Sequence, residues 1–226
     1  MNENIRFDPN KVLKRGGTKN VYQGAGGTLV LEFTDRVRGK DGPGEEEGAG
    51  ATAYATAVRY FRLMQERGLP THFLDACDER RLILVRSARL FGNGLEWVYR
   101  GVASGSFVRR YGMYVKEGAP LPPYVETRFK DAERGDPFVT PQALQALGLM
   151  HQQAYDACMQ LCSAVFALLS SDLLSHGLAL WAAKLEVGLD AEGRIMVIDA
   201  VSPDCLRVRH GNNTLSASEL ASFLGC

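Results

Sequence analysis

Apolar positions recur along this chain with the period of a strand in some stretches and of a helix in others. From Lys11 to Phe33 they come in short alternating runs broken by glycine. Lys14–Tyr22 predicts two short strands joined through Gly16 and Gly17, and a turn over Gly24–Gly27 leads into a strand at Thr28–Phe33. Arg81–Val85 reads as a further strand, and the run Trp97, Val98, Tyr99 as a buried one. Ala51–Arg67 places Ala53, Ala57, Tyr60, Phe61 and Met64 on one helical stripe, with Gly68 and Pro70 as stop signals. Phe107–Tyr111 predicts a helical turn closed by Gly112. Pro120, Pro122 and Pro123 force an extended segment ahead of the alternating stretch Tyr124–Lys130. Thr140 before Pro141 is an N-cap with proline at N1, opening a short helix to about Leu149. A longer helix to about Ser171 carries Tyr155, Cys158, Cys162, Val165 and Leu169 on its buried stripe. Leu178–Val187 and Arg194–Asp199 predict a hairpin, and Ser218–Leu224 a last helix. Two stretches carry no period: Arg36–Gly50, glycine-rich and acidic, reads as a mobile loop, and Ser87–Gly94 as a connector.

Composition narrows the partners. The 226 residues suffice for one large domain or two closely packed lobes. Twenty-six Lys plus Arg balance 26 Asp plus Glu, which argues against nucleic acid as the main partner and leaves room for a local basic pocket. Five cysteines, an odd number without a Cys-x-x-Cys pair, fit reduced intracellular thiols better than disulfides or zinc. The four histidines are scattered, and none is assigned a metal. No leader of signal-peptide type is apparent and no apolar stretch reads as long enough for a bilayer, so the expectation is a cytoplasmic protein without a membrane partner.

Three places carry candidate chemistry. Arg100 precedes a small-residue loop ending in Gly105 and Ser106, which reads as an anion cradle or, more plainly, as a surface turn with basic neighbours. The glycine turn before Lys19 is a lid for phosphates or an ordinary hairpin with an exposed ammonium. Third, a turn over Asp190–Gly193 would set Leu189 opposite Arg194 and Lys184 opposite Asp199, so that Lys184, Glu186 and Asp199 share a face. Two carboxylates and one ammonium suit Mg²⁺ with phosphate oxygens, or make a solvent-facing Lys184–Asp199 salt bridge.

The run Arg100-x-x-Ala103-x-Gly105-Ser106-x-x-x-Arg110-x-Gly112 resembles the central signature of the phosphoribosylaminoimidazole-succinocarboxamide synthase (SAICAR synthetase) family. Further blocks follow the family in order. They are Gly16-Gly17-Thr18-Lys19-Asn20-Val21-Tyr22, Asp41-Gly42, Leu69-Pro70-Thr71, Glu126-x-x-x-Lys130 with Asp136-Pro137, Lys184-Leu185-Glu186-Val187-Gly188, Val197-Ile198-Asp199 and Ser202-Pro203-Asp204-Cys205-Leu206-Arg207. The resemblance implies an α+β, two-lobed fold. An N-terminal β-rich lobe with the glycine hairpin, residues 1–86, would face a C-terminal α+β lobe, residues 87–226, across an ATP cleft. It implies an ATP-dependent amide ligase joining a carboxyaminoimidazole ribotide-type carboxylate to the amine of aspartate through an acyl phosphate, and is compatible with a homodimer. Arg100, Ser106 and Arg207 would hold the ribotide phosphate. Lys19, Leu84, Lys184, Glu186 and Asp199 would meet the nucleotide, Glu186 and Asp199 also holding Mg²⁺, with Leu90 and Phe91 beside Leu84 in an adenine slot. Lys130 and Asp136 would be the catalytic pair. The chain departs from the family at Gly17 (Lys), Ala200 (Glu), Leu206 (Ser) and in a short C-terminal segment. These departures leave open a specialised ligase acting on another heterocyclic carboxylate or amine in nucleoside-type natural-product synthesis, and a nucleotide-binding relative without turnover.

Overall fold

The alternation read from the sequence builds two antiparallel sheets in the computed structural model, which describes residues 5–39 and 42–226. The Asp41 match lies outside the described residues. The first sheet takes β1 (Phe7–Arg15), β2 (Lys19–Gly24) and β3 (Thr28–Phe33) in sequence order. The stretch expected to be a loop forms instead a hairpin of its own, β4 (Arg36–Gly39) with β5 (Gly42–Glu45), because Asp35 and Glu46 close the two ends through a backbone hydrogen bond of 2.8 Å. Helix α1 (Ala49–Glu66) follows, buries Ala57, Tyr60, Phe61 and Met64 on its stripe, and stops at Gly68, whose positive φ of 66° ends the helical path. Then come β6 (Phe73–Cys77), which no alternation had announced, and β7 (Leu82–Arg86), giving the order β1-β2-β3-β7-β6.

The second sheet begins with β8 (Leu95–Val102), longer than its apolar centre, and passes through the short helix α2 (Ser106–Tyr111) to β9 (Pro120–Phe129). Strand β9 lies at the sheet edge, where its prolines leave no interior ladder bond unmade. Helix α3 (Pro141–Ala146) is capped by the Thr140 hydroxyl, which accepts the Ala143 amide at 3.1 Å. Helix α4 (Gln152–Ser175) is long and apolar enough to cross a membrane by length and composition, which corrects the expectation that no stretch is. Here its stripe of Cys158, Leu161, Cys162, Val165, Phe166, Leu169 and Leu173 is buried, and Phe166 stacks on Tyr99 with centroids 5.2 Å apart.

Strand β10 (Ala179–Leu189) is the axis of this sheet. One side pairs with β8. The other side is shared end to end by β11 (Ile195–Ile198), opposite Glu186–Leu189, and β12 (Leu206–His210), opposite Ala179–Ala183. Between them the chain leaves the sheet through residues 199–205. A two-residue β13 (Asn213–Thr214) and α5 (Ala217–Leu224), with a capping box from Ser216 and Glu219, complete the described fold. The first sheet reaches the second through the segment after α1: Val197 donates to Pro70 and His72 donates to Val197, each at 2.9 Å. The main core runs from Phe33 and Tyr60 to Trp97, Phe166 and Val208.

Candidate active site

In β8, Leu95, Trp97 and Tyr99 face the core, so Glu96, Val98 and Arg100 face the other way. Cross-strand partners share a face, and the register sets Glu96 beside Arg128 and Glu186, Val98 beside Glu126 and Lys184, and Arg100 beside Tyr124 and Ala182. Three adjacent strands thus present a continuous polar face that spans about 13 Å from Glu186 to Ala182 at strand rise.

At one end of this face Glu126 is enclosed by arginines. Its Oε2 accepts Nη2 of Arg100 at 3.3 Å and Nη2 of Arg128 at 3.0 Å, and its Oε1 accepts Nη2 of Arg110. The Glu126 side chain is fully buried. Ser106 adjoins the cluster: its Oγ accepts Nη2 of Arg100 at 2.8 Å. Arg207 comes to the same place from β12, because Ala182 is paired with Arg100 on one side and with Arg207 on the other. Gly105, with φ of 54°, lets this happen; a Cβ there would stand 3.4 Å from Nη1 of Arg207. Burial lowers the Arg100 pKa, and Arg128 and Arg110 lower it further against the pull of Glu126. Three guanidiniums against one carboxylate leave an excess of two positive charges, and Arg207 makes it three.

The other end opens into a cleft of about 730 Å³ between the sheets. Its apolar wall is Val21, Leu29, Leu31 and Val85 of the first sheet, with Leu90 at the rim. Leu84 is not part of it. Val30 and Leu84 are cross-strand partners on the opposite face, and Leu84 packs with Tyr22, Val30 and Leu82 in a second small core. By period two it is the neighbour Val85, and not Leu84, that faces the cleft. Phe91 is buried in the main core.

The polar wall is built of ion pairs. Lys19 Nζ lies 2.5 Å from Asp199 Oδ1, Lys130 Nζ lies 2.5 Å from Glu186 Oε1, and Lys184 Nζ lies 3.0 Å from Glu96 Oε1. The expected Lys184–Asp199 pairing is replaced. Leu189 pairs with Ile195 rather than Arg194, a one-residue change of register that would turn Asp199 to the core face. Asp199 escapes by taking a left-handed φ of 61°, which ends the strand and returns its carboxylate to the cleft. His72 donates from Nε2 to the Asp199 carbonyl at 2.9 Å and so pins that turn. Burial lowers the His72 pKa to about 4. Burial opposes the charge of Asp199, but Lys19 holds it at about 2. Glu186 is raised by burial and by Asp199, with Lys130 opposing.

Asp136 is not among the residues lining the cleft. At φ of 51° its Oδ1 accepts the Asp131 amide at 2.9 Å and closes the turn after β9. Cys205 does line the cleft, but burial and Asp204 push its thiol up to about 12, and it points at the Ala200 carbonyl, 3.4 Å away. No group of three or more metal-ligating side chains occurs among the described residues. Glu186 and Asp199 offer two hard oxygen donors close enough to repel each other, which fits a magnesium ion whose remaining positions are filled by phosphate and water.

The sequence pattern gave Lys130 a role but none to Arg128 and Glu126, two and four positions earlier on the same face. The signal was present: Val125, Thr127 and Phe129 alternate with Glu126, Arg128 and Lys130.

The family described as SAICAR synthetase matches residues 12–219. The phosphoribosylaminoimidazole-succinocarboxamide synthase of Clostridium tetani is 38% identical over 94% of this chain and 98% of its own. A solved SAICAR synthetase in complex with ADP is 28% identical with a TM-score of 0.83, covering 91% of this chain and 88% of that one. The phosphoribosylaminoimidazole-succinocarboxamide synthase from Ehrlichia chaffeensis, 21% identical, shares the fold with a TM-score of 0.87 over 95% of this chain and 98% of its own.

Proposed function

The chain belongs to the SAICAR synthetase family, and we propose that it is an ATP-dependent ligase joining a carboxyaminoimidazole ribotide to the amine of aspartate. A carboxylate resists an amine because it has no leaving group. One of its oxygens therefore attacks the γ-phosphorus of ATP, ADP departs, and an acyl phosphate forms. The aspartate nitrogen then attacks the acyl carbon, the C–O bond breaks, phosphate leaves, and the nitrogen loses a proton to give the amide.

The two-ended polar face carries this reading. Arg100, Ser106 and Arg207 grip the ribotide phosphate and fix the carboxylate at a set distance. The nucleotide, of the kind a related SAICAR synthetase holds as ADP, would lie in the cleft with its base against Leu29, Leu31 and Val85. Lys19 and Lys184 face the transferring phosphoryl group and offset its charge. Lys130, paired with Glu186 at the cleft end, would face the acyl phosphate. Glu186 and Asp199 would hold Mg²⁺, which when bound neutralises charge on the nucleotide phosphates. In this reading residues 1–86 cover the nucleotide and residues 87–226 hold substrate and metal, and the protein works in the cytoplasm on small molecules.

Phosphate release from ATP tests the proposal. Release that requires both carboxyaminoimidazole ribotide and aspartate supports it. Release only with another carboxylate or amine would move the protein to a specialised ligase, and nucleotide binding without turnover under any pair would sink the catalytic reading.

A further inference from the structure

Ser106 carries a second contact that the grip described above does not use. Besides Arg100 at 2.8 Å, its Oγ accepts Nη2 of Arg128 at 3.1 Å. A hydroxyl has two acceptor lone pairs and one proton. Both lone pairs are taken, so the Ser106 proton is left as a donor aimed away from the guanidiniums. Without Arg128 one lone pair would be free, and the hydroxyl could accept a neutral donor as readily as it gives a bond to an anion.

Arg128 is also more than a counter-ion for Glu126. Arg100 and Arg110 already over-compensate that single carboxylate, and a third guanidinium adds desolvation cost without a buried charge to match. Its position is nevertheless fixed. The Phe138 ring lies 4.4 Å from the Arg128 guanidinium and 4.0 Å from that of Arg110, and Arg128 and Phe138 are bridged through their backbones. A partly buried, held guanidinium in a cluster with more positive than negative charge, whose spare contact polarises a serine toward its proton, is suited to a doubly charged ligand.

We propose that Arg128 is a specificity-determining residue of the ribotide subsite. By making Ser106 an obligate donor and adding unmatched positive charge, it selects a dianionic phosphate monoester over a monoanionic or neutral group of the same shape. The inference rests on the ribotide reading above.

The test is calorimetric binding of ribose 5-phosphate and ribose 5-sulfate to the protein and to Arg128→Gln, with ADP and Mg²⁺ as a separate probe of the cleft. The unaltered protein should prefer the phosphate, and Arg128→Gln should lose about tenfold or more in phosphate affinity while sulfate affinity moves by less than about threefold and ADP binding is unchanged. An unchanged phosphate-to-sulfate ratio in Arg128→Gln overturns the role of Arg128 and leaves the ribotide reading intact. Should Arg128→Gln fail to bind ADP, Arg128→Met decides: the apolar stem can stay against Phe138 but offers Ser106 no donor and adds no charge, so the ratio should still fall, and a retained ratio overturns the proposal. If the unaltered protein binds ADP but neither ester, the ribotide reading falls, and this inference with it.

Discussion

Lys19 Nζ sits 2.5 Å from Asp199 Oδ1, fastening the tip of the glycine hairpin on one sheet to the end of an edge strand on the other. A nucleotide entering the cleft would meet this pair with its phosphates. On the proposed reading both partners would move, the ammonium onto a phosphate and the carboxylate, with Glu186, onto the metal. Asp199→Asn keeps the shape and removes one anionic donor, so half-saturation of ADP binding should need about tenfold more Mg²⁺. A magnesium titration that superimposes on that of the unaltered protein would remove Asp199 from the metal site.

Arg207 reaches the arginine cluster only because β12 resumes beside β10 after the excursion of residues 199–205. Its guanidinium packs on Gly105 rather than on a carboxylate, since no ion pair of Arg207 occurs among the described residues. Arg207→Ala should therefore fold normally and raise the KM for the ribotide by an amount worth about 1.5–3 kcal/mol, as for charged hydrogen bonds. An unchanged KM would refute the contact.

The two faces of the first sheet separate stability from binding. Leu84→Ala empties part of the small core around Tyr22, Val30 and Leu82 and should cost about 2 kcal/mol of stability by urea unfolding, with ADP affinity unchanged. Leu29→Ala strips the cleft wall and should weaken ADP by about 1 kcal/mol, a factor of about five. Swapped outcomes would mean that the nucleotide base lies elsewhere.

These contrasts also mark what could be read from residues alone. Strong periods survived: the stripe of α1, the stripe of α4 and the glycine turn before Lys19 all lie where the pattern put them. The grouping of Arg100, Ser106 and Arg207 came from the resemblance alone; in the fold a short loop joins the first two, and Ala182, paired on both sides, brings Arg207 beside them. Errors arose where one residue decides a face. A left-handed Asp199 cannot be seen in a hairpin pattern, so Lys184 was given the wrong partner. Leu84 and Val85 are equally apolar, and only pairing with β3 tells which one sees the cleft. Strand β6 was invisible because Asp75 interrupts its apolar run and it borrows order from β7.

His72 gives the stability of this fold a pH dependence whose sign can be worked out. It is buried, it donates to the Asp199 carbonyl, and Lys19 and Arg86 nearby add to the burial that holds its pKa at about 4. An unfolded histidine titrates near 6.5, so between these values the unfolded chain binds the extra proton and stability falls as pH falls. The full effect over that window is roughly 3 kcal/mol. Asp199, held at about 2, does not titrate in the folded state above pH 4. Glu186, raised by burial and Asp199, works in the opposite sense, but equally in a variant that leaves it alone. His72→Gln retains an amide donor for the carbonyl and removes the titration. Urea unfolding at pH 7, 5.5 and 4.5 should therefore show the unaltered protein losing stability faster than His72→Gln, the two curves closing together toward low pH. Parallel curves across that range would mean that His72 is protonated as readily in the folded chain as in the unfolded one, and that the turn at Asp199 is held by something else.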